Sequence, residues 1–188
     1  MNKEKYFILF LISLCRFIGI LILFVINPIT AILINIVIDF ADGPLYKYYF
    51  KFSRKMAQYF DKLWDYIYYI ALMVLIINLN LQMWWILFIL FIYRSVGEII
   101  FFINGNKKIF IYFPNIFEYY TLGFLFIKKL QEITFINSYM IISIFIMITI
   151  FKIWNEIFLH KQNNTFFEIF WLPLFRFMGF GFAKRIKD

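Results

Sequence analysis

The chain is short of cysteine, histidine and charge, and each shortage excludes something. Cys15 is the one cysteine among 188 residues, so no internal disulfide can form and the redox compartment stays open. His160 is the one histidine; it stands alone past the last long apolar run and is expected to be exposed. No P-loop and no G-x-S-x-G motif occurs, and one group of aspartates is the only cluster with metal-ligand spacing. Charged residues make up 16% and apolar residues 64% of the chain, against about a quarter and about a half in soluble domains. That is more apolar surface than one buried core needs, and it points to an integral membrane protein. No small-residue cleavage site follows the first apolar run, so that run is expected to be a retained helix.

What is present is a series of long apolar runs. A helix needs roughly 20 apolar residues to cross the hydrocarbon core. Candidate helices cover residues 6–26, 28–42, 57–78, 83–103, 115–127 and 135–151. Asn27-Pro28 and "NGN" at 104–106 read as turns. The expectation is an all-α, polytopic membrane protein, a single domain over 1–188 with six transmembrane helices. The tail "TFFEIFWLPLFRFMGFGFAKRIKD" is apolar but interrupted by Pro173 and Gly179, and its end is basic. It reads as an interfacial segment.

Lysine and arginine give the orientation. Lys3, Lys5, Lys47, Lys51, Arg54, Lys55, Lys62, Lys107, Lys108, Lys152, Lys161, Lys184, Arg185 and Lys187 all fall on one side of a six-span plan. That side is expected to be cytoplasmic. Lys128 and Lys129 fall on the other side and are the exception. The basic patches suit an anionic lipid or nucleotide ligand better than nucleic acid, because the chain has no sizeable soluble domain.

Four aspartates stand in one short stretch, "IDFADGPLYKYYFKFSRKMAQYFDKLWDYIYYIALM". An aspartate at the centre of a membrane helix costs about 2.5–3.5 kcal/mol to insert. Asp39 and Asp42 are three apart, and Asp61 and Asp65 four apart, so each pair shares a helix face. Two antiparallel helices bearing such pairs can converge on one point. Hard oxygen ligands in that number suit Mg²⁺ or Mn²⁺, above all where a substrate brings phosphates. Gly43 allows close approach, and Lys47, Lys51, Arg54 and Lys55 supply positive charge beside the acids. The plain alternative is a solvated loop with acidic ends. A third reading, a small metal-ion transporter, wants its carboxylates at mid-bilayer rather than near a basic end.

The same stretch resembles the signature of the CDP-alcohol phosphatidyltransferase family, D-x2-D-G-x2-A-R followed after eight or nine residues by G-x3-D-x3-D. Asp39, Asp42, Gly43, Asp61 and Asp65 match it; Tyr46 stands for the family's Ala, Lys47 for its Arg and Ala57 for its Gly. The six-helix plan agrees with the family as well. The resemblance implies transfer of a phosphatidyl group from a CDP-linked lipid, such as CDP-diacylglycerol, to a small alcohol with release of CMP. It implies that Asp39, Asp42, Asp61 and Asp65 hold divalent metal, Mg²⁺ or Mn²⁺. It makes Asp65 also the catalytic base, and it places Gly43, Tyr46, Lys47 and Ala57 around the CDP group. It also implies a homodimer. The three substituted positions motivate another possibility, a non-catalytic relative that binds lipid or a partner.

Several residues outside the motif stay open. "SLCR" at 13–16 is similar to the family's T-x-x-R, and Arg16 lies mid-run, where it needs an acid partner. It serves either the site or a structural ion pair. Arg94 and Glu98, four apart, form either a mutual salt bridge or an acceptor-orienting pair. Asn115 and Glu118 follow Pro114 and read as a helix start. Cys15 reads as packing.

Overall fold

The computed structural model describes residues 3–44, 54–81, 84–131 and 137–162. Within them the chain forms six α-helices and a short 3-10 helix, and no strand occurs among the described residues. The helices are α1 (Lys3–Ile22), α2 (Pro28–Pro44), α3 (Arg54–Asn78), α4 (Trp84–Asn104), α5 (Ile116–Gln131) and α6 (Ser138–Gln162). The 3-10 helix, Lys107–Ile111, lies between α4 and α5.

The expected turns form for the expected reasons. The Asn27 side chain accepts from the Ile29 N–H at 3.0 Å and so caps α2, with Pro28 preset for the first helical position. After α4, Gly105 takes a left-handed φ of 65°, and Asn106 caps the 3-10 helix by accepting from the Lys108 N–H at 3.1 Å. Lys128 and Lys129 occupy the last turn of α5. Cations there meet the negative end of the helix dipole, which is a local reason for a lysine pair at that position. Helix α6 differs from expectation. It continues to Gln162 and therefore carries His160 within the helix rather than beyond it. The stretch "KIWNEIFLHKQ" has no glycine or proline to stop it, so the helix outlasts its apolar run. The tail expected to be interfacial, 163–188, lies outside the described residues.

Helices α3 and α5 each touch four others, α3 packing on α1, α2, α4 and α5, and α5 on α2, α3, α4 and α6. Ile32 of α2, Leu72 and Ile76 of α3, Leu87 of α4 and Phe117 of α5 interlock in the core, with Leu23 from just after α1. Helix α6 packs on the outside. Phe145 stacks on Tyr120 and Phe124, with ring centroids 4.6 Å apart in both cases, and Gly123 brings the α5 backbone against the same ring.

Beside this apolar core, polar side chains are buried and apolar ones exposed to a degree unusual for a soluble bundle. Arg16, Asn35, Asp65, Arg94, Glu98, Asn115, Glu118 and Lys152 are buried, while large apolar side chains face outward. Helix α4 shows it most plainly. Arg94, Ser95 and Glu98 point inward, and Phe88, Ile89, Ile92, Val96, Ile99 and Ile103 form the exposed stripe. At 21 residues and about 1.5 Å per residue, α4 is long enough, and apolar enough, to cross a membrane. Shorter apolar stretches occupy Leu9–Ile22, Pro28–Asp39 and Tyr139–Asn155.

Candidate metal centre

A small contact sets the register of the site. Gly19 of α1 has no side chain, so α2 comes close enough for the Asn35 amide to donate to the Gly19 carbonyl at 2.7 Å. A Cβ at Gly19 would sit 2.7 Å from Asn35 Oδ1. One turn away, on the same two helix faces, Arg16 meets Asp39.

Arg16 is almost fully buried, and three carboxylates converge on it. Its Nη2 lies 2.6 Å from Asp39 Oδ1 and 3.5 Å from Asp61 Oδ1, and its Nη1 lies 3.4 Å from Asp65 Oδ1. Lys62 approaches from the other side, with Nζ 3.0 Å from Asp61 Oδ2 and 2.5 Å from Asp65 Oδ2. Asp65 is buried, Asp61 is partly covered, and Asp39 is 45% exposed. The cluster therefore opens on the Asp39 side.

One carboxylate oxygen from each of Asp39, Asp61 and Asp65 lies within 4.8 Å of the other two. Neighbouring ligands of an octahedral Mg²⁺ stand about 3.0 Å apart and opposite ones about 4.2 Å, since each bond is about 2.1 Å. The three oxygens would draw together by up to about 1–2 Å to take the ion, and a cationic group already lies among them. The residues fit: this group could hold a metal ion. Asp42 and Gly43 lie on α2 and Ala57 on α3, with side chains outside what the structure describes. Tyr46 and Lys47 lie outside the described residues.

A second buried polar layer lies beneath the acids. Arg94 Nη2 pairs with Glu98 Oε1 at 2.8 Å, and Arg94 Nη1 donates to the Phe113 carbonyl at 2.7 Å. This is the mutual salt bridge that the four-residue spacing suggested. The Phe110 ring, fully buried, stands between Arg94, 4.2 Å from its centroid, and Lys62, 5.6 Å from it. The Asn115 amide donates to Tyr69 Oη at 2.8 Å and to Glu118 Oε2 at 3.0 Å. Lys152 of α6 covers the Tyr119 ring at 4.5 Å.

Sequence reasoning placed Lys62 and Lys152 among the surface cations and passed over Tyr69 and Phe110. Lys62 and Tyr69 were findable: one stands three residues before Asp65 and the other four after it, on its face of α3. Phe110 carried no signal, because a short 3-10 helix leaves no periodic pattern. No family model, no curated protein and no solved structure matches this chain.

Proposed function

We propose that the chain is a metal-dependent membrane enzyme that transfers a substituted phosphate group. Within that class, its motif is that of a CDP-alcohol phosphatidyltransferase. The observation that carries the reading is the convergence of Asp39, Asp61 and Asp65. They come from two helices, and their oxygens gather within 4.8 Å, as the motif resemblance requires. The broad exposed apolar surface, with ionic groups buried inside, supports a lipid surround. On this reading six helices span the bilayer and the acids face the cytoplasm.

When bound, Mg²⁺ or Mn²⁺ neutralises the diphosphate of the donor and the charge that develops as CMP departs. The protein's own residues position the rest. Asp39 and Asp61, with Asp42 by resemblance, hold the ion, and Gly43, Tyr46, Lys47 and Ala57 surround the CDP group. Asp65 takes the proton of the acceptor hydroxyl. Its carboxylate contacts Lys62 and Arg16, yet each oxygen has two lone pairs, so accepting capacity remains. The acceptor oxygen bonds to the phosphatidyl phosphorus, the anhydride P–O bond breaks, and CMP leaves with the electron pair.

The test is CMP release by the purified protein in mixed lipid–detergent micelles, with CDP-diacylglycerol and a pool of small alcohols, with and without chelator. Asp65→Asn should keep metal-dependent donor binding and lose about 10²–10⁴-fold in turnover. Asp39→Asn and Asp61→Asn should lose donor binding as well. Release that survives chelation, or an Asp65→Asn variant near the wild-type rate, refutes the reading. One observation favours a second reading, a non-catalytic relative with a structural ion cluster: Arg16 and Lys62 already contact all three acids. That reading expects no CMP release and no saturable metal binding.

A further inference from the structure

We infer that Arg16 is the resident counter-ion of the acid cluster and that it competes with the divalent cation for the same carboxylate oxygens. The inference rests on the metal reading above and adds to it how the site is held before the ion arrives.

Among the described residues, Arg16 and Lys62 divide the carboxylates between them. Arg16 takes the Oδ1 atoms of Asp39, Asp61 and Asp65, and Lys62 takes the Oδ2 atoms of Asp61 and Asp65. Arg16 thus stands at the point where the three acids meet, and Lys62 stands behind two of them. A divalent ion needs direct bonds of about 2.1 Å to its oxygens. The ion would take the meeting point that the guanidinium now fills, and two cations a few ångströms apart repel strongly in a buried site. Arg16 must therefore withdraw as the ion enters, while Lys62 can keep its outer oxygens. Its planar fork suits the holding role, because it offers several donors to carboxylates from two helices at once. It follows that the protein folds without metal, and that part of the metal affinity is lost in moving Arg16 aside.

The experiment uses the full chain in detergent. Mn²⁺ binding is titrated by the electron-spin-resonance signal of the free ion, and thermal unfolding is followed with and without Mn²⁺. Arg16→Gln should bind Mn²⁺ at least about tenfold more tightly than wild type, because the competing charge is gone. Its metal-free form should melt at a lower temperature, and Mn²⁺ should restore more of its stability than it adds to wild type. Arg16→Lys keeps a charge without the fork and should bind with intermediate affinity. Asp61→Asn should abolish the binding, which locates it. Equal or weaker Mn²⁺ binding in Arg16→Gln overturns the inference and leaves the metal reading standing. If Arg16→Gln fails to fold, Arg16→Lys decides: tighter binding than wild type supports the inference, and equal or weaker binding overturns it. No saturable binding in wild type, Arg16→Lys or Arg16→Gln overturns inference and reading together.

Discussion

Consider Arg94→Met, a change at the most deeply buried ion pair of the bundle. Glu98 is fully buried and Arg94 nearly so, so neither charge has water to fall back on. Removing Arg94 strands the Glu98 carboxylate, a loss of about 3–5 kcal/mol for a buried pair broken from one side. It also removes the charged hydrogen bond to the Phe113 carbonyl and the cation over the Phe110 ring. Glu98→Met should cost less, about 1–3 kcal/mol, because Arg94 keeps that carbonyl and that ring. The double variant buries two apolar side chains of similar length and no charge. It should be more stable than Arg94→Met alone, with a coupling energy of about 2–3 kcal/mol. The assay is reversible unfolding in mixed micelles, read by helical circular dichroism, for the wild type and the three variants. Additive losses, with the double variant at the sum of the singles, would refute the claim that the pair acts as one unit.

Gly97→Ala would put a Cβ 2.5 Å from Phe113 Cβ, so the 3-10 connection must shift; a loss of about 1–3 kcal/mol is expected in the same unfolding assay. In a Cys15→Ser background, needed because Cys15 is exposed on α1 and not packed as expected, cysteines at Asn80 and Lys108 should label from opposite sides, Lys108 from the cytoplasm. Labelling of both from one side would show that α4 does not span. Lys47→Ala should raise the KM for CDP-diacylglycerol through loss of a charge-assisted contact of about 1.5–3 kcal/mol, and Lys47→Arg should not; steady-state kinetics distinguish the two.

Most of the helical plan was legible, because apolar run length and turn chemistry are local properties. Asn27-Pro28 opened α2 and the "NGN" stretch closed α4 where expected, whereas α1 stopped at Ile22, short of residue 26, in a tighter turn. The end of α6 was not legible from hydropathy, since a helix that leaves its apolar stretch is sustained by propensity alone. The acids were legible as a group because three- and four-residue spacings fix a helix face. What spacing within a helix could not give is which faces meet. Arg16 stands 23 residues from Asp39 and 49 from Asp65, and neither the Gly19–Asn35 contact that seats α2 on α1 nor the packing of α3 on both shows in the spacing. Phe110 was illegible for a related reason: its place between Lys62 and Arg94 depends on where a short connection folds back.

The pairing of Arg16 with Asp39 also bears on how the chain is made. If α1 and α2 cross the bilayer as proposed, Arg16, midway along its apolar run, opposes insertion by about 2.5–3.5 kcal/mol when unpaired. The two residues lie on consecutive helices joined by the tight Asn27-Pro28 turn, and they meet at 2.6 Å. The first hairpin can thus neutralise its own arginine before α3 leaves the ribosome. Asp61 and Asp65 then arrive at a partner that is already in place. On that plan the first acid–base pair of the cluster is complete within one hairpin, and the helix that follows adds Asp61 and Asp65 to it.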